Sequence, residues 1–216
     1  SASSLTIASL PELAFVVPRG RYQLDMGATS FRMHGKSYDY RIPYQSILKL
    51  FLVPKPDDLH IQLVMALDPP IKQGQTRYPF LICQFDKDEH LELDLQNLSP
   101  EDLASKYEGK LLVHQEGAAF ELVSNLFRCL AGHKIIVPGA FQSAVGGGGA
   151  ASLKCSIKAA EGHLYPLERN LLFLPKPTLL IAHQEIGNVE FSRIGAGLGN
   201  PRSFDMKISL KSGQEH

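Results

Sequence analysis

The stretch IPYQSILKLFL (Ile42–Leu52) returns 139 residues later as IAHQEIGNVEF (Ile181–Phe191). Ile42, Gln45 and Ile47 recur at that one offset as Ile181, Gln184 and Ile186, and the apolar positions Leu50 and Leu52 recur as Val189 and Phe191. The match is short, but it keeps positions of core type. It reads as a duplicated β-unit. A chain of 216 residues accommodates two such units.

Working outward from the repeat, strands dominate. Phe31 and Met33, then Tyr38, Tyr40, Ile42 and Tyr44, alternate on either side of His34-Gly35-Lys36-Ser37, the pattern of a hairpin. Residues 47–53 form a nearly continuous apolar run, interrupted by Lys49 and ended by the turn signal PKPDD. Leu91, Leu93 and Leu95 alternate again. Then the period changes. Ser99-Pro100-Glu101-Asp102 supplies an N-cap, a proline at the first helical position and an acidic residue at the third, which predicts a short helix to about 108 with Gly109 as its stop. A longer helix is predicted over 118–131, with Leu122, Val123, Leu126, Phe127 and Leu130 on one stripe and Gly132 after it. Further strands are predicted at 135–137, 153–159, 171–174, 178–181 and 204–210.

About seven antiparallel strands closed by one amphipathic helix describe a pleckstrin-homology-like barrel. The predicted fold is therefore mainly β with a capping helix, as two tandem barrels, 13–132 and 133–216. On this reading His216 falls opposite His90, so the second unit lacks a closing strand and helix.

The oddest run is DPPIKQGQTRYPF (Asp68–Phe80). Proline gives a sheet no amide, so a strand is expected to stop at Asp68 and restart near Phe80. That leaves a stiff, polar loop. Its prolines restrict the unbound chain, Gly74 admits close backbone approach, and Gln73 and Gln75 each bring donors and an acceptor. The loop is either a recognition surface or an architectural turn.

Composition narrows the function classes. Lys and Arg total 22, as do Asp and Glu, so bulk charge does not favour non-specific nucleic-acid binding. Charge is uneven locally: residues 13–56 hold seven basic and two acidic side chains, and 86–108 hold eight acidic and two basic. The second stretch, with Asp86, Asp88, Glu89, Glu92 and Asp94, is either a solvated face or an acidic ledge for a basic partner. Cys83, Cys129 and Cys155 are far apart among apolar neighbours and read as buried free thiols, which suits a reducing compartment. No run approaches about 18 apolar residues, so no membrane span is expected. The first ten residues lack a basic segment and do not read as a secretory signal.

Chemical motifs are sparse. The run Gly146–Gly149 has no following Gly-Lys-Ser/Thr and reads as a hairpin loop rather than a phosphate cradle. No Gly-x-Ser-x-Gly elbow occurs, and the eight histidines fit no zinc spacing. PRGRY (Pro18–Tyr22) either grips phosphate or turns the chain. No catalytic residue, metal or cofactor is predicted.

The segments PRGRYQLDM, HGKSYDYRIPY, DPPIKQGQTRYPFL, KIIVPGAF and LYPLERNLLFLPKPTLLI resemble the middle domain of the structure-specific recognition protein family, the smaller subunit of the histone chaperone FACT. The resemblance runs from about residue 13 to 216. It implies tandem pleckstrin-homology folds and binding of the tetramer-forming pair of core histones in a nuclear, chromatin-associated protein. It implies roles in transcription, replication and repair. It places histone contact on Lys72, Gln73, Gly74, Gln75, Thr76, Arg77 and Tyr78. The large FACT subunit would bind through regions outside this segment, and a weak DNA contact is allowed. The glycine run at 146–149 departs from the family as a local insertion. The rival reading, a phosphoinositide-binding or general interaction module, needs basic residues in the first hairpin loop. Taken as Gly27-Ala28-Thr29-Ser30, that loop is uncharged.

Overall fold

A computed structural model describes residues 5–144, 149–194 and 203–216. The chain divides into two compact units, Ser1–Pro138 and Gly139–His216. The first contains β1 (Ala8–Val17), β2 (Gly20–Met26), β3 (Ser30–His34), β4 (Asp39–Pro43), β5 (Ile47–Pro54), β6 (His60–Gln73), β7 (Thr76–Asp86), β8 (His90–Asp94), α1 (Pro100–Ser105), β9 (His114–Ala118), α2 (Ala119–Ala131) and β10 (Ile135–Ile136). The second contains β11 (Leu153–Ile157), β12 (Ala160–Pro166), β13 (Asn170–Leu174), β14 (Leu179–Ala182), β15 (Ile186–Ser192) and β16 (Asp205–Leu210). Of the glycine run, Gly146–Gly148 lie outside the described residues. None of the described helices is long and apolar enough to cross a membrane.

In the first unit the sheet order is β10-β5-β6-β7-β1-β2-β3-β4. Among the described residues no ladder joins β4 to β5, so the sheet wraps its core without closing. The helix signals act as their chemistry predicts. The Ser99 hydroxyl accepts from the Asp102 amide, and the Asp102 carboxylate accepts from Ser99 in return, a capping box with Pro100 behind it. α1 ends at Ser105, short of the expected 108. α2 ends at Gly132, whose φ of 73° is the left-handed stop. The buried face of α2 carries Val123, Leu126, Phe127 and Leu130, with Leu122 half-buried. Phe127 meets Phe31 edge-on at 5.0 Å between ring centroids.

Three expectations need correction. The strands β1 and β2 precede the first strand read from the sequence, and Ile7, Ala8 and Leu10 are buried. A bulge between Leu10 and Leu13 switches which residue parity faces inward, so β1 does not alternate as a whole. The first hairpin loop is consequently Pro18-Arg19, and Gly27–Thr29 is the second. PRGRY turns the chain there, with Arg21 against the Glu12 carboxylate at 3.5 Å. Finally, β6 does not stop at Asp68. It runs on to Gln73, because Pro69 and Pro70 fall in a register break between Ala66 and Ile71, where β7 asks for no amide.

The duplication is visible in the registers. Gln23 pairs with His34 and Leu24 with Met33 between β2 and β3; His163 pairs with Leu174 and Leu164 with Phe173 between β12 and β13, each shifted by 140. A 3-10 turn follows β4 at Tyr44–Ser46 and β14 at His183–Glu185. Its first amide reaches back to the same corner in each unit, Tyr44 to the Thr29 carbonyl and His183 to the Arg169 carbonyl. The next ladder carries one bulge in both, between Ile47 and Lys49 in β5 and between Ile186 and Asn188 in β15.

The end of the second unit aligns differently from the sequence reading. Ser209 pairs with Glu215, and Ile208 and His216 exchange both backbone hydrogen bonds, at 2.8 and 2.9 Å. In the first unit Ala66 pairs with Phe80 and Met65 with Leu81. His216 therefore stands where Leu81 stands, not His90. Unit one continues after Leu81 through β7, β8, α1, β9 and α2, and the described residues hold no second copy of that part.

One consequence appears at equal register positions. Leu50 is fully buried in β5 beneath α2, whereas its counterpart Val189 in β15 is 38% exposed. Phe191 and Phe204 are also exposed, with ring centroids 5.7 Å apart, while Phe173, Ile181 and Ile208 are buried. Backbone amides in β15 and β16 are expected to exchange with solvent faster than those in β5 and β6. Equal protection of the two ladders, measured by hydrogen–deuterium exchange on this chain, would contradict that reading.

Candidate functional site

The proline-braced segment is a hairpin. Above the register break, Ile71 pairs with Tyr78, Lys72 with Arg77 and Gln73 with Thr76, leaving a two-residue loop of Gly74 and Gln75. Gly74 has φ of 60°, the geometry a II′ turn demands of its first loop residue, and no atom lies within 4 Å of where its Cβ would sit. The Tyr78 hydroxyl donates to Gln73 Oε1 at 2.9 Å, and Ile71 packs on the core. Gln73 and Tyr78 are half-buried and brace the stalk. Lys72, Gly74, Gln75, Thr76 and Arg77 are exposed.

All seven predicted site residues thus sit on one element, but in two roles. The sequence alone does not separate Gln73, which is occupied by Tyr78, from Gln75, which presents its amide to solvent. The cross-strand pairing of Lys72 with Arg77 is equally invisible before the register is known. Two like charges directly opposite on an exposed ribbon are unfavourable in isolation.

The second unit offers an internal comparison. At the corresponding corner its chain leaves the ladder at Leu210 and rejoins it at Glu215, with Leu210 donating to the Gln214 carbonyl and Gly213 to the Leu210 carbonyl. A short turn, Lys211–Gln214, stands in place of Asp68–Pro79. The common fold closes this corner without a projecting hairpin.

The acidic stretch runs from Asp86 at the end of β7 through Asp88 and Glu89 in the connecting turn to Glu92 and Asp94 on the exposed face of the β8–β9 ribbon. Glu92 lies opposite Glu116, and Asp94 opposite His114. His114 Nδ1 is 2.6 Å from Asp94, and that hydrogen bond, with the carboxylate's charge, raises the imidazole's pKa above its ordinary value. His90 lies 3.1 Å from Glu116, and His60 the same distance from Asp86. Two of the ledge carboxylates, Asp86 and Asp94, thus sit against histidines distant in sequence, His60 and His114. Glu92, Asp94 and His114 also bring one possible ligand atom each within 4.8 Å of one another, all on exposed side chains.

Burial raises the pKa of the Cys83, Cys129 and Cys155 thiols, so none is an activated nucleophile at neutral pH. Only Cys83 is fully buried; the other two are half-buried.

A family model described as the SSRP1 PH domain matches residues 6–135. A second, described as the middle domain of histone chaperone Rttp106-like proteins, matches residues 151–216. The chain is 43% identical over 211 residues to FACT complex subunit POB3 of Mycosarcoma maydis, covering 98% of this chain and 37% of that protein. It is 46% identical over 215 residues to FACT complex subunit pob3 of Schizosaccharomyces pombe, covering 100% of this chain and 41% of that protein. It therefore spans roughly two fifths of the length of these curated relatives. A solved structure of the Spt16D Pob3N heterodimer matches 95% of this chain and 84% of that one, at 8% identity and a TM-score of 0.36.

Proposed function

The chain belongs to the SSRP1-like PH-domain family, with FACT complex subunits as its relatives, and from that premise we propose that it is a histone-binding module of a chromatin chaperone. Its partner is the tetramer-forming pair of core histones. The working surface is the tip of the β6–β7 hairpin, with Gln75, Thr76 and Arg77 as contacts and Gln73 and Tyr78 as braces. The module acts by binding rather than by catalysis, in a nuclear, chromatin-associated complex whose large subunit engages segments outside these residues.

One observation carries the reading. The two units share strand registers, a 3-10 turn and a bulge, yet at this corner the first extends its ladder into a hairpin and the second makes a short turn. A feature that the duplicate fold does without is not needed to close that corner. The hairpin is also stiff: its prolines and the Tyr78–Gln73 bond limit what it loses on binding.

The test is Gln75→Lys, assayed by pull-down and by titration with H3–H4 at moderate salt. Added positive charge against a basic partner is expected to weaken binding about tenfold, or about 1.4 kcal/mol, with an unchanged melting curve. Gln142→Lys, the same charge change at an exposed residue outside the hairpin, is the control. Equal affinity for the two variants would remove the tip from the interface.

A further inference from the structure

The ladder between β3 and β4 leaves one set of backbone groups unused. Gly35 donates to the Tyr38 carbonyl and Tyr44 to the Thr29 carbonyl, so residues 35/38 and 29/44 are hydrogen-bonded pairs. Antiparallel ladders alternate, which makes Met33/Tyr40 and Phe31/Ile42 the bonded pairs between them. The amides and carbonyls of Asp39 and Arg41 therefore point away from β3, at the free edge of the sheet. The opposite edge is different, because β10 pairs in parallel with β5 and covers part of it.

A groove of about 280 Å³ runs beside the free edge. Asp39, Arg41 and Pro43 form one wall, and Pro69, Ile71 and Lys72 at the hairpin's base form the other. The two lining cations each face a like charge in their own ladder, Arg41 opposite Arg32 across β3 and β4, and Lys72 opposite Arg77 across β6 and β7. Among the described residues none of these four cations has an ion pair. Asp39, the acidic group on the β4 wall, has His34 Nδ1 at 3.6 Å. The second unit has neither wall: β14 reads Leu179-Leu180-Ile181-Ala182, and its hairpin is absent.

We propose that this groove receives an acidic peptide in extended form, which adds to β4 as a further strand. The Asp39 and Arg41 backbone groups supply the ladder, and Arg41 and Lys72 face its carboxylates from opposite sides. Charged residues and Pro43 on an edge also serve to keep stray strands away. That protection is selective, since cations repel basic strands and leave neutral ones unpaired, while an acidic strand relieves both like-charge pairs. The groove's recognition residues, Asp39, Arg41 and Lys72, lie outside the proposed histone contacts Gln75, Thr76 and Arg77, and its ligand has the opposite charge, so it stands or falls separately from histone binding.

The experiment uses the whole 216-residue chain and a fluorescein-labelled ten-residue peptide of alternating Glu and Val. Comparators are the same peptide with Gln for Glu, the same peptide N-methylated at alternate amides, and a short DNA duplex. The Glu peptide is expected to bind and to slow exchange of the Asp39 and Arg41 amides, read by NMR. The Gln and N-methylated peptides are expected to bind weakly. The double variant Arg41→Glu, Lys72→Glu should lose more than about tenfold in affinity for the Glu peptide. Gln75→Lys should keep it, and both variants should keep the wild-type melting curve. No binding of the Glu peptide, or equal binding of its N-methylated form, overturns the proposal. So does tighter binding of the duplex without protection of those two amides, which would make the surface a nucleic-acid contact.

Discussion

Phe127→Ala is expected to destabilise the first unit by about 3–5 kcal/mol, the usual cost of truncating a buried phenylalanine. That is a large share of the ~5–15 kcal/mol that holds an ordinary domain together. The reasoning starts from spacing. Val123, Leu126, Phe127 and Leu130 lie at helical intervals and are buried on one face of α2. Phe127 is fully buried and meets Phe31, which in turn stacks on Tyr44 at 5.9 Å. Removing the ring leaves a void bounded by β3 and the 3-10 turn, where the ladder restrains collapse. Urea denaturation should show a lower midpoint with an unchanged slope. Leu122→Ala, on the half-buried margin of the same helix, should cost much less. A Phe127→Ala variant within about 1 kcal/mol of the parent would mean that α2 does not seal the core.

What was legible in the sequence followed from periodicity and local chemistry. The α2 stripe, the Ser99 capping box and the Gly132 stop concern neighbours along the chain, so no register was needed to see them. The repeat at 42 and 181 was legible for the same reason, since the strand–turn–strand it marks is contiguous. β1 was hidden because its bulge reverses inward parity between Leu10 and Leu13. The hairpin was misread as a loop because a proline within a strand argues for a break, and only the pairing shows that Pro69 and Pro70 fall where the ladder is already interrupted. Properties that depend on strands meeting were out of reach: the Lys72–Arg77 and Arg32–Arg41 pairs, the histidines over the acidic ribbon, and the unused edge of β4. The polar character of the candidate site was readable from residues 68–80. Its separation into an exposed tip and a braced stalk was not.

The largest effect on binding is expected from a graft between the two units. Replacing Asp68–Pro79 with the turn Lys211–Gln214 asks the first unit to close this corner as the second already does. The flanking ladder should accept it, because Ala66 with Phe80 and Ser209 with Glu215 occupy the same register position. The shorter connection costs little in loop entropy, since closure varies only as the logarithm of length. Some stability is lost with Ile71, a partly buried side chain on the core, worth about 1–2 kcal/mol. A melting point lowered by about 3–4 °C per kcal/mol is the corresponding signature for a unit of this size. Histone binding should fall much further than in Gln75→Lys, because the graft deletes the whole tip rather than placing one repulsive charge on it. Binding of the acidic peptide should fall as well, since Lys72 and the second wall of the groove leave together. The Arg41→Glu, Lys72→Glu variant separates the two losses, as it keeps the tip while spoiling the groove. A grafted protein that folds and still holds H3–H4 with parental affinity would place the histone surface elsewhere.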